Sequence, residues 1–160
     1  MPTHCFKGVY PATLPPYRSD GKINAPVLQQ LIEAQIRAGV NGFYVSGGTG
    51  EGILQTVEER VESVRLVMEQ VDRRCPVIVH VGAVTTYDAV RLGKKIAAMG
   101  VDAISALPPI FYKVPFSAIL DFYNQIASAA GKPMLAYYIP ASMESPSQTI
   151  NLTNCFRSSM

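Results

Sequence analysis

The chain has 160 residues, of which 48% are apolar and 16% are charged, a composition that predicts one globular domain with a hydrophobic core. Its formal net charge is only +2, which gives little support to a nucleic-acid or membrane-surface role, and no apolar run approaches the roughly 20 residues of a membrane span. The cysteines Cys5, Cys75 and Cys155 form neither a CxxC pair nor a zinc pattern, so we expect a cytoplasmic protein without a metal.

Short β-rich runs alternate with longer helical patterns along most of the chain. In chain order, the sequence predicts a strand at 8–14, a helix at 25–38, a strand at 42–46, a helix at 57–74, a strand at 76–82, a helix at 86–99, a strand at 101–107, a helix from 115 to about 131 and a strand at 133–139. Pro11 makes the first strand the weakest, because proline cannot donate to a ladder. Such alternation predicts a parallel sheet with right-handed crossovers.

Local signals predict where the helices begin and end. Thr56 and Glu59 have the spacing of a capping box, Thr86 is the predicted cap of the third helix, Gly100 is predicted to end it, and Pro115 suits the first turn of the fourth. The residues predicted to face inward from the first helix are Val27, Leu28, Leu31 and Ala34. The charged cluster of the second helix is interpreted as a solvated face and comprises Glu58, Glu59, Arg60 and Glu62.

Two α/β architectures satisfy this order of elements, an open doubly wound sheet and part of a (β/α)8 barrel. A complete barrel needs about 250 residues, so about five strands in this chain do not close one. The predicted elements end near residue 141, and at this point both architectures stay open. Residues 142–160 are rich in Ser, Thr, Asn and Gln and are predicted to be a divergent or disordered tail.

A glycine-rich segment, residues 47–52, follows the strand predicted at 42–46. Glycines there let backbone N–H groups turn toward an anion, and the Thr49 hydroxyl adds a donor. Ile53 stands where a Walker A loop needs lysine and where the dinucleotide-binding pattern needs its last glycine, which disfavours a nucleotide. A flexible turn and a small carboxylate or phosphate site both stay open.

Four further residues at strand ends are candidates for chemistry. Tyr137 and Tyr138 end the last predicted strand, where only one of them can face inward, for packing or for catalysis. His80 has neither an acidic neighbour nor a metal-ligand spacing, which favours a histidine of the core or of a strand end. Ser46 lacks the flanking pattern of a nucleophile elbow.

Several of these segments, taken in order, resemble the N-acetylneuraminate lyase and dihydrodipicolinate synthase family of pyruvate-handling class I aldolases. The segments that carry the resemblance are 8–15, 42–51, 80–86, 104–106 and 137–140. The resemblance covers about residues 6–141, and segments 80–86 and 102–106 look like the sialic-acid lyase branch. In the synthase branch a tyrosine is expected where Phe111 aligns.

The resemblance implies a TIM barrel, of which residues 1–141 would form the N-terminal portion, a homotetramer in the full-length form, and no metal or organic cofactor. It implies that Thr49 binds the carboxylate of a 2-keto acid, sialic acid or pyruvate, together with backbone N–H groups at Gly48 and Gly50. Tyr137 would be the catalytic proton shuttle. The lyases commonly have serine where this chain has Gly48, so one hydroxyl is lost.

The resemblance also implies a lysine on the sixth strand that forms a Schiff base with the substrate's keto carbon. The six lysines of this chain are Lys7, Lys22, Lys94, Lys95, Lys113 and Lys132. None is predicted late in a buried strand. We therefore expect a lyase by family whose N-terminal portion is inactive alone. The alternatives are a non-catalytic fragment that associates with full-length subunits and a family member acting on another 2-keto acid.

Overall fold

A computed structural model describes residues 6–109 and 114–137. Phe111, Lys113, the predicted domain boundary at 141 and the predicted tail at 142–160 lie outside the described residues. The helices are α1 (Ala25–Arg37), α2 (Val57–Val71), α3 (Thr86–Ala98) and α4 (Phe116–Ala130), with one 3-10 turn at Gly52–Leu54. The strands are β1 (Phe43–Val45), β2 (Val77–His80), β3 (Ala103–Ala106) and β4 (Met134–Ala136).

The four strands form one parallel sheet in the order β1-β2-β3-β4, with a helix between each pair. A doubly wound sheet reverses its strand order part-way across, whereas a barrel adds each new strand beside the last. The sequential order therefore selects the barrel from the two predicted architectures.

The predicted first strand is only partly confirmed. Ala12 makes an isolated parallel bridge with Tyr44, in which the Thr13 N–H donates to the Tyr44 carbonyl at 2.9 Å and the Tyr44 N–H donates to the Pro11 carbonyl at 3.1 Å. Extending this ladder upstream would require an N–H at position 11. Because Pro11 has none, the segment lies beside β1 without forming a regular strand.

The predicted capping box at Thr56 and Glu59 is confirmed. The cap of α3 is Thr85, and the prediction of Thr86 was wrong by one residue. The Thr85 Oγ1 accepts from the Asp88 N–H at 3.0 Å, which is the three-residue spacing that a capping side chain requires. Gly100 follows α3 with φ +83°, a conformation that glycine adopts without steric cost.

The two faces of the sheet have different roles. The face toward the helices is apolar and contributes Phe43, Val45, Val77, Val79, Ile104 and Ala106 to the core. In α1 only Leu28 and Ile32 are fully buried, so the inward prediction was wrong for Val27, Leu31 and Ala34. Leu28 and Ile32 lie one turn apart and define the packed stripe, which leaves the neighbouring stripe of Val27 and Leu31 on an exposed flank.

The other face of the sheet is strongly curved. The Tyr44 hydroxyl of β1 lies 2.6 Å from the Ser105 hydroxyl of β3, and the Tyr44 ring packs edge-on against Tyr137 beyond β4, with centroids 6.4 Å apart. Across a flat sheet, residues of the first and fourth strands would lie about 14 Å apart. The contact shows that the strands curl toward one another, as in the wall of a barrel.

Replacing Tyr44 by Phe keeps the ring and removes the hydroxyl that bonds Ser105. Because the Ser105 hydroxyl would then be buried without its partner, we expect the free energy of unfolding to fall by about 1–3 kcal/mol, measured by urea denaturation. The matched control is Tyr87→Phe on the exposed side of α3, which should change stability by less than about 0.5 kcal/mol. An unchanged urea midpoint for Tyr44→Phe would show that the curvature does not depend on this hydrogen bond.

Candidate functional site

A crevice of about 110 Å³ opens where β1, β2 and β3 end. Its walls are largely apolar and come from the segments that follow the three strands: Ser46, Gly47, Gly48 and Ile53 after β1, His80, Gly82, Ala83 and Val84 at the end of β2, and Leu107, Pro108 and Pro109 after β3. Ligands of parallel α/β folds bind at the carboxyl ends of the strands. The crevice is therefore the candidate site.

The loop at residues 47–52 is held in a tight turn by glycines. A Cβ on Gly52 would lie 1.9 Å from the Ser46 carbonyl oxygen, and one on Gly50 would lie 2.8 Å from the Thr13 carbonyl oxygen. Neither position has room for a side chain. By contrast, a Cβ on Gly48 would have no atom within 4 Å. This position therefore has room for a side chain that carries a hydroxyl, such as serine.

The backbone of this loop offers free donors. The carbonyls of Gly47 and Gly48 accept from the N–H groups of Gly52 and Glu51 at 3.1 and 3.0 Å, which closes the turn. Within the described part of the chain, the N–H groups of Gly48, Thr49 and Gly50 donate to no backbone acceptor. Successive free N–H groups in a glycine turn form a concavity suited to a carboxylate.

Tyr137 lies at the same end of the sheet as this loop. Its N–H donates to the Ala106 carbonyl at 3.0 Å, its carbonyl accepts from the Tyr123 hydroxyl at 3.1 Å, and its side chain stays 40% exposed. The Tyr44 ring connects Tyr137 to the glycine loop. It packs against Tyr137 on one side, and on the other side it lies so close to Gly47 that a Cβ there would have no room. The curved sheet thus brings Tyr137 and the glycine loop together around Tyr44.

A buried arginine lies beneath the crevice. Arg60 of α2 is 3% exposed, and its guanidinium donates to the carbonyls of Gly82, at 2.8 Å, and His80. No carboxylate among the described residues pairs with it. Burial lowers the pKa of Arg60 to about 10, so the side chain stays charged at neutral pH. Residues that line the crevice are therefore bonded directly to a buried positive charge.

His80 joins the ends of two strands. Its Nε2 accepts from the Leu107 N–H at 3.0 Å, and its Nδ1 lies 3.3 Å from an Arg60 nitrogen. Burial, followed by the Arg60 charge, lowers the pKa of His80 to about 4. The imidazole is therefore neutral at pH 7, and the prediction of a strand-end histidine is confirmed.

Comparison with known proteins identifies the chain's relatives. The model of the dihydrodipicolinate synthetase family matches residues 5–157. The chain belongs to this family. It is 35% identical to the N-acetylneuraminate lyase of Rhizobium meliloti over 136 residues, which are 85% of this chain and 46% of that protein. The chain thus spans about half the length of the curated relatives it matches.

Solved structures of family members share the fold. CdNal from Clostridium difficile, in complex with mannosamine, superposes with a TM-score of 0.86 at 32% identity, covering 91% of this chain and 50% of that chain. YagE from Escherichia coli, described as a prophage protein of the dihydrodipicolinic acid synthase family and in complex with pyruvate, gives 0.83 at 29% identity over 86% of this chain and 46% of that one. The family fold predicted from the sequence is confirmed.

Five of the six lysines fall within the described residues of this family member. Lys7, Lys22, Lys94 and Lys95 are exposed, and Lys132 is partly buried in the turn before β4. No lysine of these described segments lies in a strand.

Three His, Cys, Asp or Glu side chains of the described segments do not cluster as metal ligands would. None of the helices seen there combines the length and apolarity of a membrane span.

Sequence reasoning missed two residues of the site, Arg60 and Tyr44. The assignment of Arg60 to a solvated helix face was wrong, because Arg60 lies on the stripe of α2 that also carries Val64, Val67 and Val71. That spacing of three and four residues was visible in the sequence and could have found it. Tyr44 gave no such signal, since its partners lie 61 and 93 residues further along the chain.

Arg60→Met should destabilise the protein by about 3 kcal/mol, because two carbonyls beneath the crevice lose a charged donor. The matched control is Arg65→Met on the same helix, where Arg65 pairs with Glu62 and Glu69 on the solvent side. Exposed pairs contribute little, so the control should change stability by no more than about 1 kcal/mol in urea unfolding. Equal effects of the two substitutions would contradict the structural role of Arg60.

His80 should make stability depend on pH. Its folded pKa of about 4 lies below the ordinary histidine pKa of 6.5, so the unfolded chain binds the extra proton between these values. The stabilisation is complete above pH 6.5 and is lost as pH falls toward 4. NMR titration of the imidazole should show the His80 transition near pH 4 in the folded protein. A transition at 6.5 or above would contradict the burial and the Arg60 contact.

Proposed function

We propose that this chain carries the 2-keto acid cradle of an aldolase of the N-acetylneuraminate lyase type. Such an enzyme cleaves N-acetylneuraminate to N-acetylmannosamine and pyruvate through an imine on a lysine. The observation that supports this proposal best is the glycine loop with free N–H groups, which contributes Gly47 and Gly48 to the crevice and adjoins Tyr44, whose ring packs against Tyr137. The similarity to named lyases supports the same class of reaction.

In this proposal the substrate carboxylate lies against the loop after β1. The N–H groups of Gly48, Thr49 and Gly50 and the exposed Thr49 hydroxyl supply hydrogen bonds to its oxygens. The Arg60 charge beneath the same strand ends favours an anion over a neutral ligand, because it is weakly screened where it is buried. Both features select a carboxylate.

Tyr137 is proposed as the group that moves a proton between the reacting atoms and the departing aldehyde. Its partly exposed ring lies beside Tyr44, which fixes its position without covering it. Burial raises the pKa of Tyr44, so Tyr44 stays protonated and serves as a hydrogen-bonded support. A positioned hydroxyl of this kind is suited to general acid–base catalysis.

Imine formation needs an amine that projects into the mouth of the barrel. We propose that none of the six lysines of these 160 residues provides it and that the chain alone binds a 2-keto acid without forming an imine. The protonated imine would itself be the electron sink, so the proposed chemistry requires neither a metal nor an organic cofactor. A cytoplasmic homotetramer is the proposed setting of the full-length form.

One structural observation favours a second role, association with full-length subunits of the family. Leu135 and Tyr137 lie on the concave side of the sheet and are 37% and 40% exposed. Within the described part of the chain, β4 pairs with β3 alone. An open strand edge beside exposed apolar groups favours pairing with another chain. Co-purification with an intact family member would favour this role over the lyase cradle.

The proposed function predicts that pyruvate binds reversibly. Added pyruvate should shift the amide signals of Gly48, Thr49 and Gly50 in NMR spectra, whereas pyruvamide, which lacks the carboxylate, should not. Borohydride treatment with pyruvate should leave the mass of the chain unchanged, because in this proposal none of the six lysines forms the imine. Absence of amide shifts would contradict the cradle. A reduced adduct on any of the six lysines would contradict the argument about the missing amine.

A further inference from the structure

Ser46, the residue that joins β1 to the glycine loop, is in an unfavourable conformation. Its φ of +58° lies in the left-handed region, which favours glycine over residues with a side chain. Its side chain is nevertheless buried, with 3% exposure, and lines the crevice. Glu51 of the same loop also has a positive φ, of +53°, but its side chain is exposed, whereas that of Ser46 is enclosed at the crevice.

The Ser46 hydroxyl has no hydrogen-bond partner among the described residues. A buried polar group without a partner destabilises the folded state, and such groups are rare in native proteins. Among the described residues, the Ser46 side chain makes no hydrogen bond that alanine would lose. The structural roles of this position therefore leave the hydroxyl unexplained.

We propose that the Ser46 Oγ donates a hydrogen bond to a carboxylate oxygen of the bound 2-keto acid. Gly48 carries no side chain, so Ser46 adds a second hydroxyl to that of Thr49 at the proposed cradle. A hydrogen bond to a charged acceptor in a buried site would account for the unpartnered group and for the backbone strain. This inference rests on the proposed function and names Ser46 as an additional substrate-binding residue.

The test compares pyruvate binding by the 160-residue chain and two variants. Ser46→Ala removes the hydroxyl and retains a Cβ, and we expect pyruvate affinity to fall about tenfold while Tm does not fall. The double variant Ser46→Ala/Gly48→Ser returns a hydroxyl to the crevice at a position with open space, and it should recover part of the affinity. Isothermal titration or ligand-observed NMR measures affinity, and calorimetry measures Tm.

The possible outcomes separate this inference from the proposed function. Weaker binding by Ser46→Ala at unchanged or higher Tm supports the hydroxyl contact, since a purely structural residue would not alter affinity without altering stability. Equal pyruvate affinity of the variant and the unaltered chain overturns the inference and leaves the cradle intact. Failure of the unaltered chain to bind pyruvate overturns both the cradle and the role of Ser46.

Discussion

Arg60 carries a positive charge into the interior beneath the strand ends, and the shape of the crevice depends on it. Removing a guanidinium from water is costly, and here carbonyl oxygens of His80 and Gly82 compensate in place of a carboxylate. Those carbonyls belong to the end of β2, which is thereby fixed to α2. His80 carries the constraint further, since its ring accepts from the Leu107 N–H after β3. Arg60 and His80 together thus tie the ends of β2 and β3 to the helix layer.

The curvature of the sheet completes the site from the concave side. Phe43 and Val45 bury the convex side of β1 against the helices, while Tyr44 between them spans toward β3 and β4. Without that curl, Tyr137 and the glycine loop would lie three strands apart. The candidate site therefore results from two sets of contacts that do not share residues, polar ones beneath the strand ends and aromatic ones across the concave face.

The sequence predicts the order of elements well because alternation and caps are local. The alternating pattern predicts each helix and the four regular strands, and Thr56 with Glu59 predicts the start of α2 to the residue. Pro11 already indicates why the first strand is weak. Local patterns do not reveal Tyr44 or the choice between two sheet architectures, since both depend on contacts between distant segments. The positive φ of Ser46 is likewise invisible, because glycine-rich surroundings only make such a turn possible.

Residues that would bind the substrate and the residue that would react with it belong to different parts of a family barrel. The proposed binding residues lie in the four parallel strands described here and in the segments that connect them, and so do the contacts that position these residues: the glycine loop, Tyr44, Arg60 and Tyr137. In the proposed function, a carboxylate is recognised without the reactive amine, since recognition needs only N–H groups, hydroxyls and a buried charge. Imine chemistry would additionally require a lysine presented opposite Tyr137. The proposal therefore separates binding and reaction along the chain.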